Sequence, residues 1–119
     1  MDRILIKLFK VKTQTQLYHL QTRNYNRHVA SGKLYEFFDT SFDQFIETMQ
    51  KEKRIKLRKP MTIRFVNTSD KSFYGLLVSF KKWLVKDLPK LIKINEGLVA
   101  QRDEIVSKID HALYLMSFK

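Results

Sequence analysis

At 119 residues the chain has the length of one ordinary domain and is too short for two independent cores. Apolar residues make up 44% of it, enough for a packed interior, and the lack of any cysteine excludes disulfide frameworks, thiolate zinc sites and thiol nucleophiles. Twenty-three Lys and Arg face twelve Asp and Glu, and a net charge of +11 on so small a domain predicts an anionic partner: nucleic acid first, an acidic protein surface second, or no partner at all if the basic face is merely solvated.

Three glycines and two prolines punctuate the sequence, which favours long helices over sheets. A first helix is predicted over residues 2–22, with Asp2 as N-cap and Ile4, Leu8, Val11 and Leu17 at helical spacing. The polar pair Arg23-Asn24 ends it. A second helix, residues 25–50, carries Val29, Leu34, Phe38, Phe42, Phe45, Ile46 and Met49 on one broad face that should be core.

Residues 51–69 then read as a long basic connection. Pro60 and the mutual repulsion of Lys51, Lys53, Arg54, Lys56, Arg58 and Lys59 oppose a continued helix. Thr62 to Val66 alternates like a strand but has no partner strand, so an irregular, extended crossover lying on the bundle is expected. Asn67, Thr68, Ser69 and Asp70 supply capping groups for a third helix, residues 70–94, with Phe73, Leu76, Leu77, Phe80, Trp83 and Leu84 in period and Pro89 as a kink or stop. Asn95-Glu96-Gly97 reads as a turn before a fourth helix, residues 98–117, striped by Leu98, Ile105, Ile109, Ala112 and Met116. The whole is an all-α, single-domain, four-helix bundle with its one long connection between the second and third helices, the ferritin-like order.

Two histidines, His19 and His28, flank the junction of the first two helices, and Asp43 and Glu47 lie four apart on one face of the second. These are donor types suited to ferrous iron. His28 precedes Asp43 by fifteen residues, which at about 1.5 Å per residue separates them by about 22 Å along the helix. A shared site therefore needs a second copy of the chain about a two-fold axis, which predicts a homodimer.

The set His19, His28, Asp43, Glu47 resembles the intersubunit ferroxidase signature of the Dps-type miniferritins. The stretches Tyr18-His19-Leu20-Gln21-Thr22, Asp43-Gln44-Phe45-Ile46-Glu47, Arg102-Asp103-Glu104-Ile105 and Leu113-Tyr114-Leu115-Met116 are similar to small ferritin-like proteins encoded by phages and large DNA viruses. The resemblance implies His19 and His28 as ligands from one subunit and Asp43 and Glu47 from its mate, with iron as the metal. Two positions depart from it: Gly32 stands where the miniferritins place a further acid, and Leu20 where they carry Trp.

Other chemistry is poorly provided for. His111 has Asp110 beside it but no nucleophile nearby in sequence, and Gly32, Gly75 and Gly97 are too scattered for a phosphate-cradling loop. The basic segment, with Glu52 as its one acid, can neutralise phosphates without reading sequence; having no aromatic residue, it offers no base stacking of its own. Lys81-Lys82 and Arg23 with Arg27 are expected to widen the patch. Lys7, Lys10 and Lys12 break up any signal-like apolar run, so no export and no membrane insertion are expected, and the viral resemblance implies a location in a host cytoplasm or virus particle. The favoured expectation is a non-catalytic binding or assembly protein contacting nucleic acid or virion proteins through Lys51, Lys53, Arg54, Lys56, Arg58 and Lys59. The alternative is a miniferritin that oxidises iron at a dimer interface.

Overall fold

The computed structural model describes residues 1–51 and 54–118. Among these the chain is all-helical, without a strand: α1 (Asp2–Gln21), α2 (Tyr25–Gln50), α3 (Asp70–Lys82), a π-helical turn (Trp83–Asp87), α4 (Leu88–Leu91) and α5 (Glu96–Met116). The elements from α3 to α4 follow one another without a break, so four helical stretches enclose the core.

Each boundary has a local cause. Asn24 accepts a hydrogen bond from the Arg27 amide and starts α2 after a three-residue connection. Ser69 and Ser72 form a reciprocal capping box at the start of α3. Asp2 is not the cap of α1 but sits in its first turn, where its charge complements the helix dipole. Asn95 caps α5 through the Leu98 amide, so Gly97, expected in the turn, is the second residue of the helix instead.

The helical stretch that begins with α3 ends at Leu91, short of residue 94 and two residues beyond Pro89. Pro89 has no N–H to give and its ring crowds the preceding turn. The chain meets both demands by widening: the Leu88 amide donates to the Trp83 carbonyl, five residues back, and the helix passes through a π turn rather than stopping.

The core is lined by Ile4, Leu8, Val11 and Tyr18 of α1, Leu34, Phe38, Phe42 and Phe45 of α2, Phe73, Leu77 and Phe80 of α3, and Leu98, Ile105, Ile109, Ala112 and Met116 of α5. Leu17 and Val29, expected in it, are only half-buried, because the face of α1 is set by Tyr18 and the face of α2 by Ala30. Phe38 stacks on Phe42 at 4.6 Å, and Phe80 meets both edge-on, closing the centre between α2 and α3.

Side-chain contacts fix the topology. Leu5 and Phe9 of α1 line one groove with Ile46 and Glu47 near the end of α2, whereas Asp70 at the start of α3 bonds Tyr18 near the end of α1. The connection therefore runs back along the whole of α1. The buried Gln14 amide holds it there, donating to the Val66 carbonyl at 2.8 Å and accepting from the Val66 amide at 2.7 Å, as a neighbouring strand would. Thr62 to Val66 stays irregular despite its strand-like alternation, as expected of a segment with no partner strand. No helix among the described residues is long and apolar enough to cross a membrane.

Tyr18 anchors the far end of the crossover. Its ring is 1% exposed and stacked on Phe73, and its hydroxyl donates to Asp70 at 2.6 Å. Burial, and then the bond to Asp70, raise its pKa above the ordinary 10.0. Because Asp70 is itself half-exposed, Tyr18→Phe should cost only about 1 kcal/mol at neutral pH. The raised pKa means that this contribution is complete below pH 10 and disappears as the pH climbs through the folded-state value. In denaturant titrations the stability gap between wild type and Tyr18→Phe should therefore narrow above pH 10.

Candidate anion-binding face

The connection from α2 is without helix over residues 54–69. In its first stretch, Arg54-Ile55-Lys56-Leu57-Arg58, Ile55 is half-buried and the other four residues are exposed. Ile55 and Leu57, with Met61, line an apolar groove against Leu5, Phe9 and Ile46. Arg54, Lys56 and Arg58 line a cleft of about 640 Å³ together with Met1, Asp2, Arg3 and Ile55, which borders both groove and cleft. Gln50 accepts a hydrogen bond from the Ile55 amide and fixes where the segment begins. Lys51 ends α2 with a positive φ of 52°, turning the chain away from the helix axis, and Lys59 is exposed nearby. Lys53 lies outside the described residues.

A second cleft adjoins this one through Arg3. Also about 640 Å³, it lies between α1 and the π turn and is lined by Arg3, Ile6, Lys7, Lys10, Trp83, Asp87, Lys90 and Leu91. The lining residues of α1 fall at successive turns of one face, three and four apart. Four cations here face Asp87 alone. Among the described residues, none of the cations in either cleft is in an ion pair; the pairs that form are Lys12 with Asp39, Arg27 with Asp70, Lys81 with Asp110 and Arg102 with Asp103. Arg27 and Lys81 thus pair elsewhere, Arg23 sits at the end of α1 opposite Arg3, and Lys82 is exposed but lines neither cleft.

Sequence reasoning found the cations of the connection but missed Arg3, Lys7, Lys10, Trp83 and Lys90. The spacing of Arg3, Lys7 and Lys10 on α1 was a usable signal. The π turn that brings Lys90 round beside Trp83 was not, since it depends on how the chain accommodates Pro89.

The metal-ligand candidates are divided. His19 and His28 come together: their rings stack at 4.0 Å, and each Nδ1 lies against the other residue's carbonyl oxygen, at 2.7 and 2.8 Å. Each Nδ1–H therefore donates across the α1–α2 junction, which leaves both Nε2 atoms as the ring nitrogens able to take a metal. Asp43 and Glu47 are exposed at the other end of α2, on the rim of the apolar groove. Among the described residues no three His, Asp or Glu side chains gather as for a metal ion, so within one chain these residues do not fit an iron site. His111 is exposed on α5, among Lys33, Phe37 and Lys108.

Gly32 has a structural explanation. The His19 imidazole lies directly against its backbone, and a Cβ there would come within 2.7 Å of Cε1 and 2.9 Å of Nδ1. A carboxylate at this position would displace the ring.

Residues 19–116 match the model of DUF5856, a family of unknown function, and the chain belongs to that family. Comparison with curated proteins and with solved structures finds no match.

Two opposing effects set the outcome at Gly32. Alanine should gain about 1 kcal/mol of helix propensity but force the imidazole out of its stack at about 1–3 kcal/mol. Gly32→Ala is thus expected to lower stability in the wild type and to raise it in a His19→Ala background. This sign reversal can be read from thermal or urea unfolding of the four proteins.

Proposed function

We propose that this protein is a non-catalytic binding protein whose basic face takes a nucleic acid backbone. The observation that carries the reading is the sharing of Arg3 by both clefts, which joins Arg54, Lys56 and Arg58 to Lys7, Lys10 and Lys90 in one cationic surface. Among the described residues its seven cations face Asp2 and Asp87 only. Arg54, Lys56 and Arg58 line one cleft, and the Gln50 side chain holds the segment at the Ile55 amide, so less backbone entropy is lost on binding than for a free loop. Contacts of this kind go to phosphates and carry affinity without sequence preference.

The ferritin-like reading of the bundle draws support from the packing. α1 touches α2 and α3, and α5 touches the same two, with the crossover running the full length of the bundle. This is the arrangement in which the first and last helices are diagonal.

Each phosphate contact with duplex DNA contributes about 0.9 to the slope of log affinity against log salt. Changing Arg54, Lys56 and Arg58 together to Ala should weaken binding to duplexes of unrelated sequence equally and make the slope shallower by about 2 to 3. Ile55 and Leu57 remain to hold the segment in place. A slope identical to that of the wild type excludes the connection as the binding surface.

A second reading, iron oxidation between two subunits, has one observation in its favour: the paired histidines with both Nε2 atoms left for a metal. In it, His19 and His28 of one subunit share a two-fold interface with Asp43 and Glu47 of the other. The protein should then oxidise added ferrous iron faster than His19→Ala does, and equal rates in the two remove the reading.

A further inference from the structure

Trp83 is the one tryptophan in the chain; half-buried, it packs against the edge of the core and lines the cationic cleft. Phe80 packs against the indole from the core, with ring centroids 5.9 Å apart and planes within 17°. Over the ring lies the Lys7 ammonium, 5.7 Å from the centroid. That is the outer limit of cation–π attraction, about 6 Å, and the ammonium sits on a flexible four-carbon stem. The indole is therefore braced from the core and covered on the solvent side by a movable cation.

We propose that this cleft seats an unpaired base of a single-stranded nucleic acid on Trp83, with the flanking phosphates held by Arg3, Lys7, Lys10 and Lys90. The proposal rests on the reading of the basic face given above and names what that face prefers. A flat base entering the cleft displaces the Lys7 ammonium from the ring, and the ammonium then meets a phosphate, a stronger partner than the indole it leaves. Stacking on an aromatic ring needs only the π-face every base has, so it adds affinity without sequence preference. Asp87, the one acid of the cleft, repels phosphate and accepts hydrogen bonds, which places the base edge on its side and the backbone on the side of α1.

Two features select a strand over its alternatives. A free mononucleotide occupies one cleft and leaves Arg54, Lys56 and Arg58 unused, whereas a strand continues past Arg3 into the second. A duplex offers its phosphates to both clefts, but its bases are already stacked on one another and cannot reach an indole set between two helices.

Because Trp83 is alone, its emission reports on this cleft and nothing else. The full chain is titrated at fixed salt with oligo(dT), a length-matched duplex and inorganic polyphosphate. Oligo(dT) should quench the indole, while duplex and polyphosphate bind without quenching. Trp83→Ala should lower affinity for oligo(dT) about ten-fold and leave affinity for polyphosphate unchanged. Trp83→Phe, which keeps an aromatic ring packed on Phe80, should fall between the two proteins and decides the matter if the alanine variant does not fold. If oligo(dT) binds without changing the emission, if polyphosphate quenches equally, or if the Trp83 variants bind oligo(dT) as the wild type does, the base seat is wrong and the basic face stands. If none of the three polyanions binds, both readings fall.

Discussion

A chain whose second helix ends at one end of a bundle and whose third begins at the other must carry a non-helical segment along the full length of the molecule. Such a segment brings backbone amides and carbonyls that need partners and ordered residues whose entropy must be offset. Here the solution is a polar group placed where a core side chain would be expected. Gln14, wholly buried on α1, gives Val66 both hydrogen bonds of a strand pair, and Tyr18 one turn further on ties Asp70 at the start of α3. At the other end Ile55 and Leu57 line one apolar groove with Leu5, Phe9 and Ile46. The position of α3, and so of Trp83 beside α1, follows from these few contacts.

The same arrangement turns an otherwise diffuse excess of charge into a surface. Lysines and arginines spread over a small protein mostly raise its solubility; on this one, seven converge because the connection lies against the start of α1 and α3 runs back to meet it. Arg3 and Lys90 are far apart in sequence and line one cleft. Beside Asp2 and Asp87, which line the clefts, Asp39, Asp70, Asp103 and Asp110 lie in ion pairs with cations that do not belong to the face.

Most of the fold could be read from periodicity and punctuation, since helical stripes, capping residues and the scarcity of glycine act locally. Ile105, Ile109, Ala112 and Met116 are core because their spacing leaves them no alternative. What escaped was nonlocal. The burial of Gln14 depends on a backbone fifty-two residues away, and the π turn on how the chain makes room for Pro89. The basic connection was visible as a run of charge, and its alternation of Ile55 and Leu57 with Arg54, Lys56 and Arg58 was in plain view. Repulsion among the charges explained why it is not a helix but not why it is ordered. Of the metal-ligand candidates, the histidines were close enough in sequence to be brought together by one helical hairpin. Asp43 and Glu47 were kept from them by the length of α2.

The imidazole lodged against Gly32 also sets the register of the first two helices. His19 projects from α1 into a gap on α2 that exists only because residue 32 has no side chain, and Nδ1 reaches the His28 carbonyl from that gap. Sliding one helix past the other by a turn, about 5.4 Å, would set the ring against His28 or Glu36, where a side chain already occupies the space. The pair therefore fits together in one alignment, like a tooth in a single notch. Everything that hangs from α1, including the crossover and the cationic face, inherits its placement along α2 from that fit.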